Sequence, residues 1–110
     1  MVNEPPKPKT LREEMVGVLA VLVQELPAAL PIKLRIAPLK DCFGCCDMRQ
    51  TKRDGSHFLI TLAKGMEPVQ AADTLLHEYA HCLAWFSSGE DHGPEWGVAF
   101  SRCYKAFCDP

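Results

Sequence analysis

The sequence predicts an α+β fold: an N-terminal helix, a three-stranded and mainly antiparallel sheet, a central helix and a C-terminal helix. Three observations predict it. A capped, amphipathic segment runs from Thr10 to Leu26. Two strand patterns follow, the alternation Ile32-Lys33-Leu34-Arg35-Ile36 and the apolar run His57 to Leu62. Two further helical segments then open at Pro68 and Pro94.

In chain order, residues 1–9 hold Pro5, Pro6 and Pro8 with two lysines and are expected to form a disordered tail. Thr10-Leu11-Arg12-Glu13 is a capping box, in which the threonine hydroxyl and the glutamate satisfy orphan backbone N–H groups. Leu11, Met15, Val18, Leu19, Leu22 and Leu26 form one apolar face of the helix over 10–26, and Pro27 stops it. In the first strand, Ile32, Leu34 and Ile36 face inward and Lys33 and Arg35 face water.

Cys42 to Arg49 is the second strand, with Gly44 at a bulge or a close backbone approach. The polar stretch 50–56 turns the chain, so the second and third strands are expected as an antiparallel hairpin. Pro68 fits the first turn of a helix that reaches Trp85 or Phe86 and ends at Ser87-Ser88-Gly89. Val69, Ala72, Leu75, Leu76, Ala80 and Leu83 are its expected buried positions. Glu90-Asp91-His92-Gly93 is a turn, and the last helix carries Trp96, Phe100, Cys103 and Phe107 at helical spacing. Trp85, Phe86, Trp96 and Phe100 are expected in the core. Residues 10–110 then make a single domain.

Composition excludes several classes. Hydrophobic residues are 47% and charged residues 24%, as in an ordinary globular protein. No apolar run approaches the ~20 residues a membrane span needs, and no signal-peptide pattern is visible. A cytoplasmic monomer is the default expectation. The net charge of −2 is unevenly placed, +3 over residues 1–53 and −5 over 54–110. The basic half is too weak to argue nucleic-acid binding by itself. The six cysteines are expected mostly as reduced, buried thiols. A structural zinc site built from Cys42, Cys45, Cys46, Cys103 and Cys108 is the less favoured reading.

The chemistry is concentrated in Leu75-Leu76-His77-Glu78-Tyr79-Ala80-His81. It reads H-E-x-x-H. On a helix, positions i and i+4 share a face, so His77 and His81 can share one metal ion. Zinc takes neutral imidazole nitrogen, and a catalytic site has three protein ligands with a fourth position open. Glu78 is offset from the pair, where a carboxylate acts as general base on water.

A third ligand must come from further along. The metzincin continuation fails, because Ala84 stands at its glycine position and Ser87 at its last histidine. Glu95 is the candidate of a thermolysin-like arrangement. His92, eleven residues after His81 and across a turn, is preferred because it completes a three-histidine set. His57 is expected at the surface or in a turn. Asp73, one turn before His77, is a candidate anchor for a ligand imidazole. Arg102 and Tyr104 are weaker candidates for oxyanion support.

Residues 74–100 resemble the SprT-like zinc metallopeptidases, a family that includes the Spartan proteases. The shared pattern is a leucine pair before H-E-x-x-H, an aromatic pair at Trp85-Phe86, and His92-Gly93-Pro94-Glu95-Trp96. Trp96-Gly97 is also similar to small phage and bacterial metallopeptidases. The resemblance implies a minimal zincin-like domain, Zn²⁺ as cofactor, His77, His81 and His92 as metal ligands and Glu78 as catalytic base. It implies a protein or peptide substrate and, on weaker grounds, DNA as a further partner. The sequence departs from Spartan in the short interval between His81 and His92 and in the lack of a zinc-ribbon pair or basic tail.

The expected function is therefore zinc-dependent peptide hydrolysis with water activated by Glu78. The strand beside the motif helix, either His57–Leu62 or Cys42–Arg49, can offer an edge to an extended peptide. Two other classes compete. One is a zincin-like DNA- or protein-docking module with a structural zinc. The other is a small zinc hydrolase with a non-peptide substrate, against which the placement of Glu78 argues.

Overall fold

The computed structural model describes residues 8–87 and 91–108. Residues 1–7 of the expected tail, Ser88-Gly89 of the expected helix stop and Glu90 of the expected turn lie outside the described residues. Pro8 and Lys9 are exposed and carry no regular structure.

Helix α1 spans Leu11–Glu25. Its capping box forms in both directions, with the Glu13 N–H donating to Thr10 Oγ1 at 3.2 Å and the Thr10 N–H directed at Glu13 Oε1 at 3.4 Å. Such a cap stabilises a helix by about 1 kcal/mol. Met15, Val18 and Leu22 are buried, and Val16, Val21 and Val23 face outward. At the other end, the Leu26 N–H still bonds the Leu22 carbonyl at 2.7 Å before Pro27 ends the helix.

Strands β1 (Ile32–Ala37), β2 (Gly44–Thr51) and β3 (Gly55–Ala63) form one sheet in the order β1-β3-β2. β2 and β3 are the expected antiparallel hairpin, with Cys46 opposite Ile60 and Met48 opposite Phe58. β1 lies parallel to β3, with Leu34 opposite Ile60. The sheet is therefore mixed, not mainly antiparallel. The reason is the apolar character of β3. Phe58, Ile60 and Leu62 on one face and Thr61 on the other are all fully buried. The strand that buries both faces takes the middle, so β1 must pair with the far side of β3 and not with its neighbour in sequence.

Helix α2 spans Pro68–Leu83 and α3 spans Pro94–Cys108. α2 packs on β2 and β3 and also touches α1 and α3. Leu75, Leu76, Tyr79, Ala80 and Cys82 supply its buried face. Tyr79 was not among the expected core positions. Its hydroxyl donates to the Leu26 carbonyl at 2.5 Å, so a buried polar atom satisfies an orphan group at the end of α1. Burial pushes its phenol up to about 12. Val69, expected to be buried, lies in the first turn of α2 and is 83% exposed.

β2 presses closely on α2. A Cβ at Gly44 would lie 2.6 Å from Thr74 Cγ2 and 3.3 Å from Glu78 Cγ. Of the two expectations for Gly44, close approach is the one the fold uses. Two residues further, Cys46 Sγ lies 2.9 Å from Cys82 Sγ. Cys82 and Cys103 are buried thiols as expected. Cys42 and Cys108 are exposed and Cys45 and Cys46 half-buried, so burial holds for only part of the set. No helix among the described residues is long and apolar enough to cross a membrane.

Candidate metal centre

His77 and His81 lie one turn apart on α2, with ring centroids 5.0 Å apart. The helix backbone holds both without strain. His92 arrives differently. α2 is capped at Ala84, and His92 stands just before Gly93 and Pro94, which opens α3. The His92 φ is 60°, in the left-handed region. Histidine is among the non-glycine residues that visit this region more readily, at a cost of about 1 kcal/mol or more. That turn aims the ring back at α2.

The three Nε2 atoms converge. His77 and His81 are 3.3 Å apart, His81 and His92 3.1 Å, and His92 and His77 3.1 Å. Among the described residues this is the one gathering of three or more side chains able to hold a metal ion. Glu95 is not in it, and neither is any cysteine set.

The donor chemistry fits a metal. Burial lowers the pKa of His77, helped by the neighbouring His92. Burial also lowers that of His81, helped by His77. Both rings are thereby held in the neutral form that ligates. Three imidazole Nε2 atoms facing one another at such distances cannot all find hydrogens to share. An ion at Zn–N distances of about 2.0–2.1 Å has tetrahedral N···N edges of about 3.3 Å, which matches the observed spacing.

Glu78 is 8% exposed and sits between α2 and β2. Its Oε2 is 3.9 Å from His77 Nε2. Burial, and then the charge of Asp91, push its carboxyl up to about 7. Such a group exchanges protons near neutrality.

Asp91 is the site residue that sequence reasoning missed. Its Oδ1 lies 3.5 Å from His81 Nδ1, and its Oδ2 lies 3.9 Å from His92 Nδ1. It faces the outer nitrogens of two of the three imidazoles, the place from which a carboxylate orients a ligand ring. Asp73 acts on His77 only as a charge that raises its pKa. The signal for Asp91 was its position directly before the third histidine.

Trp96 walls the cluster. Its indole N–H donates to the His77 carbonyl at 3.3 Å. Its ring centroid lies 4.9, 5.5 and 4.8 Å from those of His77, His81 and His92. The expected core role is thus shared with direct support of the imidazoles. A cleft of about 280 Å³ opens here, bordered by His81, Trp85, Asp91, His92 and Trp96. Neither Arg102 nor Tyr104 lines it.

Other expectations change. His57 is 4% exposed, not at the surface, because it lies inside the central strand β3, which begins at Gly55. Its Nδ1 pairs with the Gly55 carbonyl at 3.0 Å, and it takes no part in the histidine cluster. Trp85 and Phe86 are exposed at 38% and 64%, not core. α2 stops at Leu83, so the two aromatics leave the helix and lie against the Phe58 ring at 5.5 and 6.2 Å. β3 is the middle strand, so the free sheet edge near α2 belongs to β2 alone.

Comparison with known proteins supplies the family. The crystal structure of the metallopeptidase zymogen of Pyrococcus abyssi abylysin is similar in fold, with a TM-score of 0.50 and 23% identity. The likeness covers 84% of this chain and 78% of that one. No curated protein matches. A family model described as SprT-like matches residues 19–109. That span takes in the C-terminal part of α1, the whole sheet, α2 and α3, and the chain therefore belongs to the SprT-like family.

Proposed function

We propose that this protein is a zinc-dependent peptidase, with residues 10–110 working as one catalytic domain. The observation that carries the reading is the triangle of His77, His81 and His92 Nε2 atoms, 3.1–3.3 Å on each side, with the buried Glu78 carboxylate beside it. Membership of the SprT-like family and the fold shared with a metallopeptidase zymogen support it.

His77, His81 and His92 would hold the ion through Nε2. Zinc so held supplies Lewis-acid polarisation of a carbonyl and makes water acidic near neutral pH. Glu78 takes up the proton of the attacking water at its carboxylate and returns it to the leaving amine. Its carboxyl, raised to about 7, lets it hold and release that proton without a large free-energy step. Asp91 keeps the His81 ring oriented from its Nδ1 side. Trp96 covers the imidazoles and limits water around them.

The test uses protein purified without chelator. Wild type is expected to carry about one zinc per chain and to cleave an unfolded protein such as casein. Glu78→Gln is expected to keep the zinc and lose cleavage by at least about 100-fold. Full proteolysis by Glu78→Gln would end the mechanism. Zinc binding and partner binding without cleavage by wild type would favour a docking module instead.

A further inference from the structure

β2 lies along α2 in step with it. Thr74, Glu78 and Cys82 follow one another at intervals of four on α2, so they share one face of the helix. Gly44 is the strand position beside Thr74 and Glu78, where an added Cβ would meet both side chains. Cys46, two residues on and on the same face of the strand, meets Cys82. Four helical residues rise about 6 Å, and two strand residues rise about 6.7 Å. The match between these two steps brings the thiols together.

The two sulfurs are 2.9 Å apart, although the residues are 36 positions apart in sequence. Both are free thiols. Cys82 is 1% exposed and Cys46 is half-buried, so an oxidant reaches the pair from the Cys46 side. Cys42 and Cys108 are more exposed, but among the described residues no other two cysteines make a sulfur–sulfur contact. A bond of about 2 Å asks the sulfurs to close by roughly 0.9 Å, a small movement for side chains already in contact. Cys82 follows His81 directly and is turned about 100° from it around the helix. Joining Cys82 to β2 therefore uses the face beside the ligand face and takes no imidazole from the cluster.

We propose that Cys46 and Cys82 form an oxidative modification site, at which a hydroperoxide converts the two thiols into a disulfide that staples β2 to α2. The Cys46 sulfur attacks the terminal oxygen of the peroxide. The O–O bond breaks, the Cys46 proton leaves with the displaced oxygen as water or alcohol, and Cys46 becomes a sulfenic acid. The Cys82 sulfur then attacks the Cys46 sulfur. The S–O bond breaks, and hydroxide leaves with the Cys82 proton as water. In total the thiols lose two electrons and two protons, and the peroxide takes them up. A dithiol reductant reverses the change by exchange. Because the resolving thiol is already in contact, the sulfenic acid is consumed before a second peroxide carries it to sulfinic acid. The staple closes a loop that encloses β3 and nearly all of α2, and it fixes strand against helix one turn from Glu78. It stabilises the fold through chain connectivity and leaves the metal ligands in place. None of this requires the metal centre to be a peptidase.

The experiment exposes the full chain, purified without chelator, to a small molar excess of hydrogen peroxide. Remaining thiols are alkylated and peptides are mapped without reduction. A linked Cys46–Cys82 peptide is expected as the main product. The melting temperature should rise by about 5 °C or more and return on treatment with dithiothreitol. Metal content should not change. Cys46→Ser and Cys82→Ala should each abolish the rise, read as the difference between treated and untreated protein of the same variant. A lower starting stability in either variant then does not obscure the result. Cys42→Ser and Cys108→Ser should keep the rise. In Cys82→Ala, and equally in Cys82→Ser, the sulfenic acid has no resolving thiol, so dimedone should label Cys46 there and not in wild type.

Overoxidation of Cys46 without a link, or disulfides that run mainly through Cys42, Cys45 or Cys108, overturns the proposal. So does a linked protein that melts no higher than the reduced one, since the bond would then strain the fold. Loss of metal in proportion to the link overturns it too, because the bond would be dismantling the histidine cluster.

Discussion

His77 and His81 reach the candidate metal centre from a regular helix, whereas His92 reaches it from a strained loop. The first two are half-buried, with their backbone bonds made inside α2. The third is exposed and held at a φ of 60°. The helix pair comes preformed with the fold, because the spacing of i and i+4 is set by helix geometry alone. The loop ligand is held against a backbone preference, and the contacts that hold it are those of Trp96 and Asp91. A site built this way has two fixed donors and one whose position depends on its neighbours.

The largest test of that difference is removal of each ligand in turn. His77→Ala and His92→Ala are both expected to lower zinc affinity by more than about 100-fold, beyond the cost of losing an outer partner. The metal-free forms should part company. His77→Ala removes an imidazole packed on Trp96 and Phe100 and should lower the melting temperature, while His92→Ala should change it little. Equal losses of thermal stability in the two metal-free variants would show that the loop histidine is as well built in as the helical one.

A smaller effect is expected from Asp91→Asn. It keeps the shape and removes the charge that faces His81 and His92. Zinc affinity measured by competition with a chelator should fall about 10–100-fold. Asp73→Asn should leave it within about threefold, because no imidazole nitrogen depends on that carboxylate for orientation. The reverse ranking would restore Asp73 to the role its helical spacing suggested.

The smallest effect has the opposite sign. His92→Gly releases the left-handed strain, and metal-free protein should gain up to about 1 kcal/mol in denaturant unfolding. With zinc present the same change should be destabilising relative to wild type, because binding free energy is lost with the ligand. A metal-free His92→Gly protein less stable than wild type would mean that the His92 ring does more for the apo fold than its backbone costs.

Much of the fold was legible because it follows from local chemistry. The Thr10–Glu13 box, the alternation in β1, the hairpin at 50–56 and the two proline-initiated helices each depend on residues close in sequence. The H-E-x-x-H spacing likewise placed two imidazoles on one face before any tertiary contact was known. Illegible were features that depend on which surfaces meet. Tyr79 reads as a helix aromatic, and only the end of α1 gives its hydroxyl a partner. His57 reads as a turn residue until β3 becomes the middle strand. Trp85 and Phe86 read as core until α2 stops at Leu83, and Val69 reads as core until the packed faces leave it exposed.

By itself, then, the sequence determined the elements, their caps and turns, the histidine pair and the carboxylate beside it, since each is fixed by backbone periodicity over a few residues. The tertiary structure alone decided that β1 runs parallel to β3, that Gly44 lets β2 close on Glu78, and that Asp91 faces the imidazoles. These are contests among competing surfaces for burial. Burial is settled by the whole set of packed faces at once, and no short stretch of chain carries the outcome.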